Sequence, residues 1–476
     1  MLKKDFLTTN RDRAVKVLDQ QCRKYHADKE VTEIASKAFL KLLDNGHAAF
    51  IQDVDPKFLD LFMHKDPQYF IPWRLVFKDS VTTPCRAVLD ASSRTNRRPD
   101  GTAGRCLNDL VVKGKVTTIN LVKMLLRFTT GRYALNGDLK QFYNSCKLHP
   151  NQWNLQRFVY RANMDPNNPI QDGVIQTLIY GVKSVSRQSE YAISLLANHV
   201  RDDMPAVAKL LEESRYVDDE GESKSTKEEC YQLIEDANKA FSLVNLQIKE
   251  LLVSGEKPTE NVSKDGASVD VGGMKWFPVM GTMEVKIPLL HFAKKNRGRL
   301  SDTVKMFDCT GLSTDQAFNM LDEFVPKKLT RRMVASKKAS IFDILGKLSV
   351  LLIRSSVLLR LTMKMTSSWD DEMPPDLRHK WLHEFLLWEQ LRGLQFSRAV
   401  MPDDALDSKL RVIVSVDAAS QAITLGAWGG FLKSNGTYSC QLMIGRSLLA
   451  PEDSTIPKSE LTSFMGGSNL LGLKGC

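Results

Sequence analysis

"SRYVDDEGES" occupies Ser214–Ser223, and five consecutive residues of it, 218–222, carry four carboxylates: Asp218, Asp219, Glu220 and Glu222. The chain around it is basic, with 66 Lys and Arg against 56 Asp and Glu and a formal net charge of +10. A knot of like charge repels itself unless something offsets it. Two neighbouring features bear on what that is. The apolar run that ends in "YVD" reads as a short strand, and "TKEECYQLIEDANKAFSLVNL" behind it has helical spacing, with Thr226 and Glu229 placed as a capping box. Upstream, "YALNGDL" (133–139) reads as a strand that also closes on an aspartate, Asp138. Strands paired side by side would bring Asp138 and Asp218 to one sheet edge. Such a cluster suits a divalent cation, because Mg2+ takes oxygen ligands from one or two carboxylates plus substrate phosphates. Two such ions can clamp the attacking and leaving oxygens of a phosphoryl transfer. An Asp-Asp pair is also a common turn, and these residues alone leave that alternative open.

Composition bounds the rest. With 43% apolar and 26% charged residues over 476 positions, the chain reads as ordinary globular protein of two to four domains. No apolar run approaches the roughly 18–20 residues of a membrane span. The start "MLKKDFLTTNRDRAVK" has lysines but no apolar core behind them, so no secretory signal is read and the cytoplasm is the expected compartment. None of the eight cysteines forms a CxxC pair, which argues against a zinc ribbon and for free thiols. "HKWLH" sets His379 and His383 one helical turn apart with Glu384 as the nearby carboxylate; a solvated helix face and a zinc site both fit that spacing. From Lys286 to Lys364 there are 16 Lys and Arg against 6 Asp and Glu, a block suited to a polyanionic partner.

The periodicity changes along the chain. "DRAVKVLDQQCRKY" and "TEIASKAFLKLLDNG" read as helices, the second ended by Gly46. "WRLVF" (73–77), "CRAVLD" (85–90), "LQRFVYR" and "VIQTLIYG" read as strands; "QSEYAISLLANHV" and "PAVAKLLEES" read as helices. Residues 253–270 and 401–409 read as connections. "SIFDILGKLSVLLIRSSVLLRLTMKM" is expected to be one long, largely buried helix. The last segment opens with three strands, "RVIVSVDAA", "ITLGAWGGFL" and "YSCQLMIG", before a helix near "PKSELTSFM".

Together "CRAVLDAS", "YALNGDLKQFYNSCKLHP" and "YVDD", in that order, resemble the reverse transcriptase of BEL/Pao-type LTR retrotransposons, over roughly residues 60–475. "VGGMKW" resembles the turn that grips the primer in those enzymes. The resemblance implies an α+β fold: a right-hand polymerase of fingers, palm and thumb/connection, then a truncated RNase H-like α/β segment. The expected parts are an N-terminal helical segment (1–60), fingers and palm (61–252), a thumb/connection-like region (271–400) and the RNase H-like piece (411–476). It further implies an RNA-directed DNA polymerase using Mg2+ or Mn2+, with an RNA template, a DNA primer, an RNA–DNA hybrid and dNTPs as partners, no membrane, and a place in the cytoplasm or in virus-like particles. By the same resemblance Asp138, Asp218 and Asp219 are the catalytic, metal-binding triad, and Leu139 lends a backbone carbonyl to the metal. Lys78 and Arg86 hold the triphosphate, Tyr143 stacks under the incoming sugar, and Gly181 and Lys249 lie at the nucleotide.

One loop departs from the family pattern. "LIYGVKSVSR" keeps Gly181 but has Tyr180 where a Gln is usual and Ser186 where a Pro is usual. Glu220 and Glu222 are unusual straight after YVDD; they read either as solvated turn residues, bystanders to the site, or as a lineage-specific feature of the palm hairpin. Lys294, Lys295, Arg297, Arg299, Arg331 and Arg332 are expected to neutralise nucleic-acid phosphates. Asp417 and Glu460 match the first two metal-binding carboxylates of an RNase H domain, whose third aspartate is not found before Cys476; no RNA cleavage is expected of this tail. The peptidase-like region named for Pao elements carries no protease chemistry here, since "EDSTIP" has Thr455 where an aspartic protease needs Gly. The alternative to a polymerase is a catalytically inactive nucleic-acid-binding remnant of a retrotransposon polyprotein.

Overall fold

Phe39, Trp73, Phe158 and Tyr160 come from three separate stretches of sequence, the last two from one strand, and meet in one apolar core. Phe39 lies 4.4 Å from Trp73, 5.1 Å from Phe158 and 5.1 Å from Tyr160, the last pair stacked. The computed structural model describes all residues except 1–6, 8, 64, 66, 78–84, 96–100, 116–119, 245, 261, 262, 264, 294–303 and 471–476. The chain forms two units interleaved in sequence: Met1–Ile119, Asp138–Asp218 and Leu233–Glu250 make the first, and Asn120–Gly137, Asp219–Gln232 and Leu251–Cys476 the second.

In the first unit the two expected N-terminal helices are Arg11–Tyr25 and Lys29–Asp44, and Gly46 sits at φ +67° just beyond the second. Side-chain amides at the N-cap and inside the first helix serve the neighbouring backbone. Asn10 Nδ2 donates to the Phe70 carbonyl at 2.6 Å while its Oδ1 accepts from Phe70 N at 2.7 Å. Gln21 does the same for the strand Trp73–Phe77, donating to the Trp73 carbonyl at 2.6 Å and accepting from Leu75 N at 2.8 Å. On its other side that strand pairs antiparallel with Cys85–Leu89, with Val76 opposite Arg86. A second sheet has the order Ala48–Phe50, Ile170–Ile175, Arg157–Arg161, all antiparallel, with Gly173 opposite both Phe50 and Phe158. A Cβ at Gly173 would meet the Phe158 ring at 2.1 Å, so the ring occupies that space.

Two strands are shorter than their periodicity predicts. "LQRFVYR" is extended only over Arg157–Arg161, because Pro150–Gln156 is 3-10 helix. "VIQTLIYG" leaves the sheet after Ile175. There side chains take over the backbone carbonyls: Gln156 Nε2 donates to Thr177 O at 2.9 Å and Asn144 Nδ2 to Leu178 O at 3.1 Å.

In the second unit the helix Leu121–Thr130 packs its Phe128 edge-on against Trp276, centroids 5.0 Å apart. Asp219–Lys224, whose sequence "DEGESK" has no apolar residue, is a strand. Glu220 and Glu222 are 1% and 5% exposed, so they are buried, and the solvated-turn alternative does not hold. Neighbours within the unit supply partners: Asn136 Nδ2 donates to the Glu220 carbonyl at 2.9 Å, and the Arg127 guanidinium lies 3.9 Å from the Glu222 carboxylate. The capping box at Thr226 forms as expected, with Glu229 N on Thr226 Oγ1 at 3.2 Å and Thr226 N on Glu229 Oε2 at 3.1 Å.

The expected long helix over 340–365 is helical only across Ser349–Met365. Before it, Gly346 at φ +66° makes a turn that the Asp343 carboxylate holds by accepting from Lys347 N at 2.9 Å and Leu348 N at 2.7 Å. Nor is the helix largely buried, since Val350 is 61% exposed. Only the stripe through Ser355, Leu358 and Thr362 is covered. It faces the helix Pro375–Leu391, whose Trp381 donates to Thr362 Oγ1 at 2.9 Å and whose Trp388 donates to Ser355 Oγ at 3.1 Å. The final three strands, Arg411–Ala418, Ala422–Gly430 and Gln441–Leu449, form an antiparallel sheet in chain order, and the helix Ile456–Leu470 lies against its first two strands. Gly467 permits that approach: a Cβ there would stand 2.8 Å from Val416 Cγ1. The seven described cysteines are free thiols, and no helix among the described residues is long and apolar enough to cross a membrane.

Gln21→Leu keeps the side-chain volume but strands a buried N–H and a buried carbonyl, so it should destabilise the first unit by about 2–4 kcal/mol. Urea unfolding measures this, followed by the part of the fluorescence change that is lost when Trp73, one of the seven tryptophans, is replaced by Phe in both proteins.

Candidate active site

Strand Tyr133–Leu139 ends in the first unit with Asp138 and Leu139. Leu139 buries its side chain and donates its N–H to the Asp218 carbonyl at 2.9 Å, and Lys140 N donates to Gln247 O at 2.9 Å. These bonds set Asp138 between the YVDD turn and the segment that carries Lys249. The Asp138 carboxyl is pushed up to about 6, first by burial and then by the negative charge of Asp218; Lys249 and Arg86 pull the other way. Asp138 and Asp218 are thus within electrostatic reach of one another in this unit. Asp219 follows as the first residue of the strand Asp219–Lys224, where the chain enters the second unit.

The turn itself is strained. Val217 adopts φ +62°, a left-handed conformation that costs a β-branched residue about 1–3 kcal/mol. A buried ion pair under it holds the geometry. Arg215 is 1% exposed and grips both carboxylate oxygens of Glu190, at 2.6 and 3.2 Å; the same guanidinium donates to the Val217 carbonyl and lies 5.2 Å from the Phe142 ring centroid. Sequence reading missed both residues. The only trace of the pair was an Arg directly before the YVDD tetrapeptide, and nothing local marked Glu190 as its partner.

Two tyrosines flank the carboxylates. Tyr143 is mostly buried, which raises its phenol above the ordinary value, and the nearby Ser186 side chain pulls the other way. Its ring meets Tyr180 edge-on at 4.5 Å. Desolvation raises the Tyr180 phenol to about 12, with the charge of Asp218 as the next cause. The two departures from the family pattern, Tyr180 and Ser186, thus both pack on Tyr143. Gly181 has φ +99°, and a Cβ there would stand 2.6 Å from the Leu89 carbonyl, so it is a close-approach glycine that ties the loop to the Cys85–Leu89 strand. Asn108 secures the same loop, donating to Gly181 O at 2.7 Å and accepting from Lys183 N at 2.7 Å.

Arg86 is exposed on that strand and acts electrostatically on both Asp138 and Tyr180. Lys249 acts on Asp138 and pairs with Glu250 at 3.1 Å. Lys78, Lys294, Lys295, Arg297 and Arg299 lie outside the described residues. Arg331 does not serve as an exposed phosphate contact: it is buried, donates to Thr366 Oγ1 at 2.9 Å and lies 5.5 Å from the Trp369 ring centroid. Arg332 is exposed but engages both oxygens of Asp370, at 2.8 and 2.9 Å.

Among the described residues no group of three or more His, Cys, Asp or Glu side chains is placed to hold a metal ion. The donors brought together are the Asp138 and Asp218 carboxylates. They fit a hard cation chemically: both are oxygen donors, and a cation would relieve the burial and mutual repulsion that hold Asp138 protonated to about pH 6. His379 and His383 stand 3.2 Å apart at Nε2 and pack their rings on Phe318, while Glu384 is engaged by Ser355 at 2.8 Å and Arg354 at 3.2 Å, which fits the helix-face alternative. Asp417 lies on the strand Arg411–Ala418 and Glu460 on the helix against that sheet, both exposed.

Residues 330–473 match the Pao retrotransposon-like RNaseH-like domain family. Comparison with curated proteins gives no match. Among solved structures the chain is similar to the foamy viral protease-reverse transcriptase dRH in complex with ds DNA, with a TM-score of 0.53 and 12% identity over 91% of this chain. It is also similar to the foamy viral protease-reverse transcriptase in complex with dsDNA, with a TM-score of 0.50 and 13% identity, again over 91% of this chain. The chain spans 59% and 70% of the length of those two chains. The fold is therefore mixed α+β, similar to a retroviral reverse transcriptase, with an RNase H-like domain.

Two outcomes follow from the site. Glu190→Gln leaves Arg215 buried without its counter-charge and should cost about 3–5 kcal/mol in urea unfolding. In metal-free protein the Asp138 contribution to stability is fully present below the ordinary carboxylate range, near pH 3.8, and is lost as pH rises through about 6, because the folded state binds the extra proton in that window. Asp138→Asn should abolish this loss and raise the melting temperature at pH 7, as differential scanning fluorimetry across pH would record.

Proposed function

We propose that this chain is an RNA-directed DNA polymerase of a BEL/Pao-type retroelement, adding nucleotides to a primer 3′-hydroxyl on an RNA template by two-metal nucleotidyl transfer. The observation that carries this reading is the coupling of Asp138 and Asp218 at the end of a strand, with Arg86 and Lys249 supplying the opposite charge. The similarity of the fold to reverse transcriptases supports it, as does the Pao retrotransposon match.

In this reading Asp138, Asp218, Asp219 and the Leu139 carbonyl hold Mg2+ or Mn2+, which when bound neutralises charge on the attacking and leaving oxygens. The protein groups do the rest by position. The Arg86 fork binds triphosphate oxygens, a geometry that a planar guanidinium suits. Lys249 adds a second cation. Tyr143, fixed from two sides by Ser186 and Tyr180, forms a rigid floor for the incoming sugar. Gly181 sets the loop that carries Tyr180 and so shapes the base side of the pocket. The Val217 turn presents Asp218 from a rigid hairpin, which keeps catalytic groups from drifting as substrate binds.

Primer extension on poly(rA)/oligo(dT) with Mg2+ or Mn2+ tests the reading. Wild type should extend, and Asp218→Asn should lose at least about 100-fold in rate while still binding the hybrid. Tyr143→Ala should raise ribonucleotide incorporation relative to deoxyribonucleotide. Hybrid binding without any extension by wild type would favour a non-catalytic binding protein. RNA hydrolysis that survives Asp218→Asn and is lost with Asp417→Asn would place the activity in the 330–473 domain instead.

A further inference from the structure

Lys140 lies two residues beyond Asp138 and lines a different part of the first unit. There a polar groove of about 300 Å³ includes Lys140, Lys147, His47, Gln141, Asn144 and Thr177 in its walls. The elements that shape it are fixed by backbone pairing. His47 accepts from Gln176 N through its carbonyl at 2.8 Å, Lys147 bridges Thr177 across the groove, and Asn144 Nδ2 donates to Thr177 Oγ1 at 3.3 Å.

The donors in this groove are arranged for an anion. Lys140 and Lys147 are both exposed, and among the described residues neither ammonium has a carboxylate within ion-pair distance. Gln141 takes φ +53°, a conformation uncommon outside glycine, which turns the chain between the catalytic strand and the groove. Its Oε1 lies 2.9 Å from Nε2 of the nearly buried His47. With that oxygen receiving the imidazole N–H, the two amide hydrogens of Gln141 are the part left to a ligand. No Asp or Glu lines the groove. It presents two ammonium groups and a positioned amide, with no counter-charge of its own.

We propose that this groove is a second anion site, separate from the carboxylate centre, that binds a phosphate group. Its volume is at the small end of ligand pockets and suits a phosphate with its sugar. The phosphate comes from one of two sources with the same chemistry: a phosphodiester of a single-stranded RNA, or the phosphates of a free nucleotide. His47 acts as a positioning residue, fixing which end of the Gln141 amide faces the ligand. The proposal rests on the polynucleotide part of the reading above but not on catalysis.

The test uses the full chain carrying Asp218→Asn, so that nothing turns over. Binding of a fluorescein-labelled 20-nucleotide oligo(rU) is followed by anisotropy over a range of salt. If the phosphodiester is the ligand, Lys140→Ala with Lys147→Ala should lower the steepness of log K against log salt by about 1.4, two contacts at about 0.7 each for a single strand. Lys140→Arg with Lys147→Arg should restore it. If the free nucleotide is the ligand, the salt slope stays and ATP binding by calorimetry without metal weakens at least tenfold in the alanine pair. Unchanged slope together with unchanged ATP binding, in protein whose melting temperature matches the parent, would overturn the proposal. Failure here leaves primer extension untouched as a test of the polymerase reading, and absent extension leaves this binding test intact.

Discussion

Two carboxylates in one partly buried place are the constraint around which the first unit is organised. Burial drives the Asp138 carboxyl up to about 6, and the negative charge of Asp218 adds to that rise. Nothing in that pair is self-stabilising. The geometry persists because the surroundings over-determine it. The Leu139 N–H fixes the turn to the strand, and the Arg215–Glu190 pair fixes it from below. The strain at Val217 is then tolerable, because the same Arg215 that answers Glu190 also takes the Val217 carbonyl. A bound cation would offset the burial and the repulsion at Asp138, which is what the proposed metal chemistry asks of this site.

How much of this was legible in the sequence depends on whether the signal was local. The strand over 133–139 alternates and closes on Asp138, and its extent was readable to the residue. The Trp73–Phe77 strand was equally plain. Asp219–Lys224 was not, because a strand is recognised by its apolar alternation and this one has none. Its membership in a sheet follows from what surrounds Glu220 and Glu222, and those neighbours are distant in sequence. The Ser349–Met365 helix fails in the opposite sense: its apolar richness suggested burial, but only the Ser355, Leu358 and Thr362 stripe meets the tryptophans of the next helix. The Arg215–Glu190 pair was invisible for the same reason as the acidic strand. Its two members are ordinary surface residues until the fold buries them together.

The departures at Tyr180 and Ser186 look like losses when the loop is compared with a family pattern residue by residue. In space they form a unit. Ser186 lies at the Tyr143 hydroxyl, and Tyr180 packs edge-on against the Tyr143 ring. A tyrosine floor held from two sides is stiffer than one held by a neighbouring backbone alone, and aromatic edge contacts of this kind contribute about 0.5–1.5 kcal/mol beyond burial. Both residues therefore act on Tyr143 in the proposed site, and a substitution at either should be read with the other in view.

Charge counts mislead for a related reason. The excess of cations over 286–364 suggested a broad phosphate-binding face, yet several of those cations are already committed. Arg331 is buried against Thr366 and Trp369, Arg332 faces Asp370, and Lys347 is driven down to about 8 by burial and donates to the Leu442 carbonyl. Arg398, just beyond that block, is committed as well, with the carbonyls of Phe128, Gly131 and Arg132. A cation spent on backbone carbonyls contributes to net charge but offers nothing to a phosphate at contact distance. The cations that remain available are identified by what they lack, a carboxylate or carbonyl of their own, and by being held beside other donors. Lys140 and Lys147 meet that condition in a region whose local charge count drew no attention, which is why a polyanion surface has to be argued from individual side chains and not from the excess over a stretch of sequence.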